Sequence, residues 1–259
     1  MDTSPPLVVL AAGRGSRLGI ATDIRPKPLV ELAGRPLLHR LLDAASTARL
    51  GPVSVVVGYR GDLIAAAAPA ARTIPNPGWA TTSIAASLLA AADAGALAAG
   101  AVIAYGDIVV EPRILAALRD EPPGPVTIPV NTSWRELWAE RMPDPLADAE
   151  RLVLDGASVR AIGGRPETYD EVHAQFMGLI RVSAAGARDL AGFYRHAAAG
   201  SAAARRWDIT ALLDAYLTAG GHLAALQVSA GWLEVDTPAD LGLYERLHAT
   251  GRLAALCAL

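Results

Sequence analysis

Apolar positions recur along this chain with two spacings. Leu7–Ala11, Val53–Val57 and Ala101–Tyr105 are short, almost unbroken apolar runs, the pattern of strands buried on both faces. Residues 36–48, 62–68, 83–94 and 112–119 instead carry apolar residues every three to four positions and predict helices. Pro36 and Pro112 are expected at the first helical position, where a missing N–H breaks no bond. Strands alternating with helices specify the α/β class: a Rossmann-like, mostly parallel sheet with helices on both faces. Ligands of such sheets bind beyond the carboxyl ends of the strands.

The rhythm changes in the second half. Residues 151–162 form two short alternating runs joined at Asp155-Gly156, a hairpin signal. A strand is expected over 174–182, helices over about 184–199 and 208–219, and a returning strand over 223–228. Thr237-Pro238 opens a final helix that runs to about His248.

The turn after the first strand carries the chemistry. Gly13-Arg14-Gly15-Ser16-Arg17 follows Leu10-Ala11-Ala12, and its glycines allow backbone N–H groups to approach an anion. Ser16 adds a hydroxyl and Arg17 a forked cation. Leu18 stands where a dinucleotide fingerprint needs its third glycine, and Leu18-Gly19-Ile20 excludes a P-loop. Downstream, Lys27 lies between Pro26 and Pro28; it is the sole lysine among 23 basic residues. A compact, mobile ammonium serves phosphate oxygens differently from a planar guanidinium. Together these residues point to a triphosphate-binding loop.

Length and composition narrow the class. At 259 residues and 52% apolar, the chain suits one substantial domain. A net charge of −3 provides no basic field for nucleic acid. The five histidines show no zinc-type spacing, and Cys257 has no second cysteine, which suits a reducing compartment. The first residues lack a leader pattern, and the uncharged stretch 73–92 is too rich in Pro, Asn, Thr and Ser to span a membrane. A soluble, cytoplasmic protein is expected, with a homodimer as the one assembly considered and the oligomeric state left open.

Leu10 to Leu18, Arg25-Pro-Lys-Pro-Leu29 and Leu32-Ala-Gly-Arg-Pro-Leu-Leu38 resemble the signature of the sugar-phosphate nucleotidyltransferase superfamily. Asn76-Pro-Gly-Trp-Ala-Thr-Thr-Ser-Ile-Ala-Ala-Ser-Leu88, Tyr105-Gly-Asp107, Trp207-Asp208 and Trp232-Leu-Glu234-Val-Asp236-Thr-Pro-Ala-Asp240 resemble segments of phosphocholine and phosphonate (2-aminoethylphosphonate-type) cytidylyltransferases. These pieces cover nearly the whole chain in family order. The resemblance implies transfer of CMP from CTP to a small phosphonate or phosphate-monoester acceptor, with release of pyrophosphate. Residues 131–222 are then expected as an acceptor-binding subdomain, inserted into a nucleotide-binding core of about 1–130 and 223–250.

Within that reading, Lys27 and Arg17 neutralise phosphate charge. Asp107, at a strand end, and Asp236 hold one Mg²⁺ with Glu234 close by, since alternation puts Glu234 and Asp236 on one side of a strand. Asp236 also stands where it would cap the last helix, as does Thr237. Leu10, Ala11, Ala12, Gly13, Arg14, Gly15, Ser16 and Gly106 would surround the nucleotide. Asn76, Thr81, Thr82, Ser83 and Ser87 offer groups that read a pyrimidine edge, and residue chemistry leaves cytosine and uracil both open. For the acceptor, Trp134, Tyr169, Trp207 and Asp208 are the first candidates, with Trp138 and Trp232 among the same scarce aromatics. Aromatic faces suit a quaternary ammonium, and Asp208 or Glu140 a primary one; packing at a hinge explains the tryptophans equally well. Arg135, Arg141, Arg165 and Arg181 are candidates for a second anionic group.

Three other readings compete. A sugar-1-phosphate nucleotidyltransferase using another NTP commonly shows Gly-Asp-Asn where this chain has Gly106-Asp107-Ile108. A molybdenum-cofactor-type nucleotidyl transferase shares the opening motif but not the later segments. A non-catalytic nucleotide sensor on the same fold has no need of Lys27, Asp107 and Asp236 together.

Overall fold

The computed structural model describes residues 4–120 and 124–259; residues 1–3, part of the stretch read for a leader pattern, lie outside them. The first half runs β1 (Leu7–Ala11), β2 (Glu31–Leu32), β3 (Arg35–Pro36), α1 (Leu37–Thr47), β4 (Val53–Val57), α2 (Gly61–Ala67), β5 (Arg72–Pro75), α3 (Ile84–Asp93), β6 (Ala101–Tyr105), β7 (Ile108–Val110), α4 (Pro112–Asp120) and β8 (Val126–Asn131). The second runs α5 (Trp134–Arg141), β9 (Leu152–Asp155), β10 (Ser158–Ile162), β11 (Gln175–Phe176), β12 (Leu179–Val182), α6 (Ala184–Gly200), α7 (Ile209–Thr218), β13 (Ala224–Val228), β14 (Trp232–Glu234) and α8 (Pro238–Ala249).

The main sheet is ordered β5-β4-β1-β6-β12-β8-β13-β10-β9, with β11 paired on β8. β10, β11 and β12 run against the other strands, so the sheet is mostly parallel. Alternation along β1 divides the core between the two faces. Leu7, Val9 and Ala11 pack with α1, α4 and α8, whereas Val8, Leu10 and Ala12 pack with α3, α6 and α7. Burying each of these leucines and valines contributes about 1.5–3 kcal/mol before entropy is counted.

Three expectations need correcting. The strand predicted over 174–182 is broken: Gly178 takes φ 69°, and a Cβ there would lie 2.9 Å from the Tyr105 ring. The break sends β11 along β8 and β12 between β6 and β8. Pro36 is the cap of α1, extended at φ −56° and ψ 139°, and the helix begins one residue later. Residues 131–222 do not stand apart from the core as an insert, because β12 sits in the middle of the sheet and pairs with β6 over Leu179–Val182.

Candidate active site

The chain leaves β1 at Ala11 and turns through Gly13 and Gly15. Gly15 is the glycine the packing requires: φ is 74°, and a Cβ would stand 2.5 Å from the Lys27 Cβ. Gly13 has nothing within 4 Å of its missing Cβ. The Lys27 stem thus lies against the loop, and its side chain is 6% exposed. Its ammonium reaches Asp107 Oδ2 at 2.6 Å and Asp236 Oδ1 at 2.6 Å. Arg17 adds a second cation, 3.0 Å from the same Asp236 oxygen.

Strand pairing explains how carboxylates so far apart in sequence converge. Gly106 follows β6 and donates its N–H to Leu10 O at 3.1 Å, which sets Asp107 beside the loop. β14 pairs antiparallel with β7, with Glu234 opposite Ile108, so Asp236 comes off the strand alongside Asp107. Thr237, not Asp236, caps α8, in a box with Asp240. Asp240 Oδ2 accepts the Asp236 N–H at 3.1 Å, and Arg141 Nε donates to Asp240 Oδ1 at 2.9 Å. Arg141 therefore positions Asp236 through Asp240 instead of serving an acceptor anion.

The electrostatics follow from this burial. Burial works against the Lys27 charge, but Asp107 and Asp236 outweigh it and hold the ammonium above its ordinary pKa. Burial first, then the Asp236 and Asp107 charges, push Glu234 up to about 8. Burial also opposes ionised Asp240, yet its hydrogen bond to Arg141 keeps the carboxyl below its usual value.

Two cavities meet here. One, of about 280 Å³, is lined by Leu10, Ala11, Ala12, Gly13, Gly15, Arg17, Lys27, Asn76, Thr82, Ser83, Ser87 and Gly106 among the expected nucleotide residues. Arg14 and Ser16 are not in its lining; Arg14 instead pairs with Asp23 at 2.5 Å. Thr81 also stands outside, bonded to Gly78 O. Asn76 is occupied by its own loop, accepting from Gly78 N and donating to Ser87 Oγ at 3.0 Å. Ser83 makes no side-chain bond to its helix, although it stands at the cap of α3. Trp79, Pro28 and Ile84 complete the wall and were not singled out from sequence, although Trp79 sits inside the Asn76-to-Leu88 motif.

The second cavity, of about 400 Å³, shares Arg17, Ser83, Ile84 and Asp107 with the first. Asp208, Glu234 and Asp236 line it as well. Of the candidate acceptor aromatics, Trp134, Tyr169 and Trp207 do not, whereas Trp138 and Trp232 do. Trp134 stacks on Tyr169 at 6.1 Å and both belong to a separate surface hollow, one turn of α5 before Trp138. Trp207 stacks on Phe193 at 6.4 Å against α6. Trp138 and Trp232 take the lining positions, stacked at 5.9 Å. Glu140 pairs with Arg252 at the surface, Arg135 covers Tyr169, and Arg181 bonds Val182 O; none of these, nor Arg165, lines the cavity. Glu150, Gln175 and Phe176 do line it, without any local sequence signal.

Among the described residues no three His, Cys, Asp or Glu side chains converge to cage a metal, so Glu234 does not complete a three-carboxylate site with Asp107 and Asp236. Two carboxylates remain at the junction, and Asp107 Oδ1 is buried without a hydrogen-bond partner. That donor set fits a hard divalent cation that keeps waters and phosphate oxygens as its other ligands.

Comparison with known proteins defines the class. The chain belongs to the MobA-like NTP transferase domain family, whose model matches residues 7–165, and so to the nucleotidyltransferases. That match ends before Asp208, Glu234 and Asp236. One relative extends further. The chain is 26% identical to the CTP:phosphoglutamine cytidylyltransferase of Campylobacter jejuni over 248 residues, 90% of this chain and 96% of that one. It is 40% identical to the 2-aminoethylphosphonate cytidylyltransferase of Lancefieldella rimae over 52 residues, 20% of this chain and 21% of that one. The solved inositol-1-phosphate CTP transferase of T. maritima shares the fold, with TM-score 0.73 at 16% identity over 99% of this chain and 98% of that one.

Proposed function

We propose that the protein is a Mg²⁺-dependent cytidylyltransferase that moves CMP from CTP to a small phosphonate or phosphate-monoester acceptor and releases pyrophosphate. The observation that carries this reading is the Lys27 ammonium, 2.6 Å from both Asp107 and Asp236 where the two cavities join. One cavity then takes the nucleotide and the other the acceptor, and their junction is where the α-phosphorus must lie.

No protein nucleophile is needed. An anionic acceptor oxygen forms the new bond to the α-phosphorus, and the bond to the bridging α–β oxygen breaks with its electrons leaving on pyrophosphate. Catalysis is positioning and charge compensation. Lys27 and Arg17 offset the charge that accumulates on the phosphoryl oxygens. The buried stem of Lys27 against Gly15 holds the ammonium in place, so little reorganisation is required. Asp107 and Asp236 would hold Mg²⁺, which on binding neutralises phosphate oxygens. Ser83 and Ser87 present hydroxyls to the base. Cytosine is favoured over uracil by the CTP named for the phosphoglutamine enzyme of Campylobacter jejuni.

The test is pyrophosphate release with each of the four NTPs against phosphocholine, 2-aminoethylphosphonate, 2-hydroxyethylphosphonate and glucose-1-phosphate. CTP with a phosphonate or phosphocholine should turn over. Turnover confined to a sugar phosphate with another NTP would refute the reading, as would CTP binding without any transfer.

A further inference from the structure

We propose that the second cavity holds a primary ammonium of the acceptor between the carboxylates of Glu150 and Asp208; this rests on reading the site as a cytidylyl transfer centre. The two carboxylates share one hydroxyl. Thr210 Oγ1 lies 3.2 Å from Glu150 Oε1 and 3.0 Å from Asp208 Oδ1. A hydroxyl carries a single proton, so one of the two oxygens always lacks a donor from it. Both acids are fixed from behind. Gln175, itself buried, donates to Glu150 O at 2.6 Å and accepts the Glu150 N–H at 3.1 Å. Asp208 caps α7 and accepts from Ala211 N at 2.8 Å.

The wall is short of positive charge. Asp107, Asp148, Glu150, Asp208, Glu234 and Asp236 all line the cavity, and Arg17 is its one arginine or lysine. Arg17 is engaged with Asp236, and Arg141 approaches Asp148 from behind at 3.5 Å. Among the described residues no ion pair reaches Glu150 or Asp208. Burial and then the Asp208 charge push the Glu150 carboxyl above its ordinary pKa, as expected of an acid lacking a cation.

A separate group in the same walls suits the other end of such a molecule. Arg17 lines the cavity beside Asp107 and Asp236 and supplies forked N–H donors for an anionic phosphonate or phosphate. Donors for an anion and acceptors for a cation in one cavity describe a zwitterionic acceptor. A primary ammonium fits better than a quaternary one, because it brings three N–H donors for the carboxylate oxygens. A quaternary ammonium depends on open aromatic faces. Trp138 is already stacked on Trp232 and carries the Arg141 guanidinium 4.9 Å from its ring centre.

The experiment compares 2-aminoethylphosphonate, its N,N,N-trimethyl derivative and 2-hydroxyethylphosphonate as acceptors with CTP and Mg²⁺, using the full chain. The primary amine should be preferred at least about tenfold in kcat/KM, and Glu150→Gln or Asp208→Asn should bring that preference down to about parity. Asparagine also caps helices, so Asp208→Asn keeps α7, and thermal unfolding checks that both variants fold. Equal use of the three acceptors overturns the proposal, as does an equal loss for all three in the variants. If no acceptor is turned over, calorimetry with 2-aminoethylphosphonate separates the two claims. Binding that Glu150→Gln abolishes retains the ammonium site while the transferase reading fails; absence of binding removes the ammonium site.

Discussion

The two cavities that meet at Arg17 and Asp107 are built in different ways. The nucleotide side is drawn mostly from two continuous segments, Leu10 to Lys27 and Asn76 to Ser87, each following a strand of the parallel half of the sheet. The second side is assembled from single residues on α5, β11, β14, the cap of α7 and the loop before β9. On the proposed reading, contiguous loop backbone would hold a ligand common to many enzymes, and scattered side chains a variable one. Substitutions should therefore fall more heavily on the first side and its junction, and more selectively on the second.

The sharpest contrast should come from Lys27. Lys27→Ala is expected to lower the rate of pyrophosphate release by at least about 10³-fold, roughly 4 kcal/mol of transition-state stabilisation. Lys27→Arg should not restore it, since a planar guanidinium does not replace a point charge between two carboxylates beside Gly15. Circular dichroism should show the fold retained; near-normal turnover in either variant would break the division drawn above. Next is Arg141→Met, which leaves Asp240 buried without its cation. A loss of about 3 kcal/mol in denaturant unfolding is expected, together with slower turnover, because Asp240 also holds the Asp236 N–H.

Glu234 gives a subtler signature. Its folded pKa of about 8 lies above its unfolded value, so between roughly pH 5 and 8 the native state binds the extra proton. Stability from this group is complete at low pH and is lost as pH rises through that window, by at most about 1.4 kcal/mol per pH unit. Denaturant unfolding at several pH values should show this decline in the parent and a flatter profile in Glu234→Gln; identical profiles would contradict the burial described. The smallest effect is expected from Tyr169→Ala. Tyr169 belongs to the separate hollow with Trp134, so the acceptor KM should stay within about twofold. A large rise would return that hollow to the acceptor site.

Much of the fold was legible before any coordinates. The β1, β4 and β6 runs, the hairpin at Asp155-Gly156 and the Thr237 cap are local patterns, governed by period and turn chemistry. The break at Gly178 was not, because it is set by contact with Tyr105, far away in sequence. Reading residues 131–222 as an insert failed for a related reason: nothing within Leu179–Val182 says that it will pair with β6.

The chain by itself determined the loop, the lysine and the acids: a glycine without a Cβ, an ammonium between prolines and an aspartate at a strand end carry their chemistry wherever the backbone takes them. Only the tertiary structure decided which tryptophans face the second cavity, that Arg141 supports Asp240, and that Glu150 stands beside Asp208. Those facts depend on where α5, the loop before β9 and the cap of α7 come to lie. Such placements are settled by packing among elements distant in sequence, of which no local stretch bears a trace.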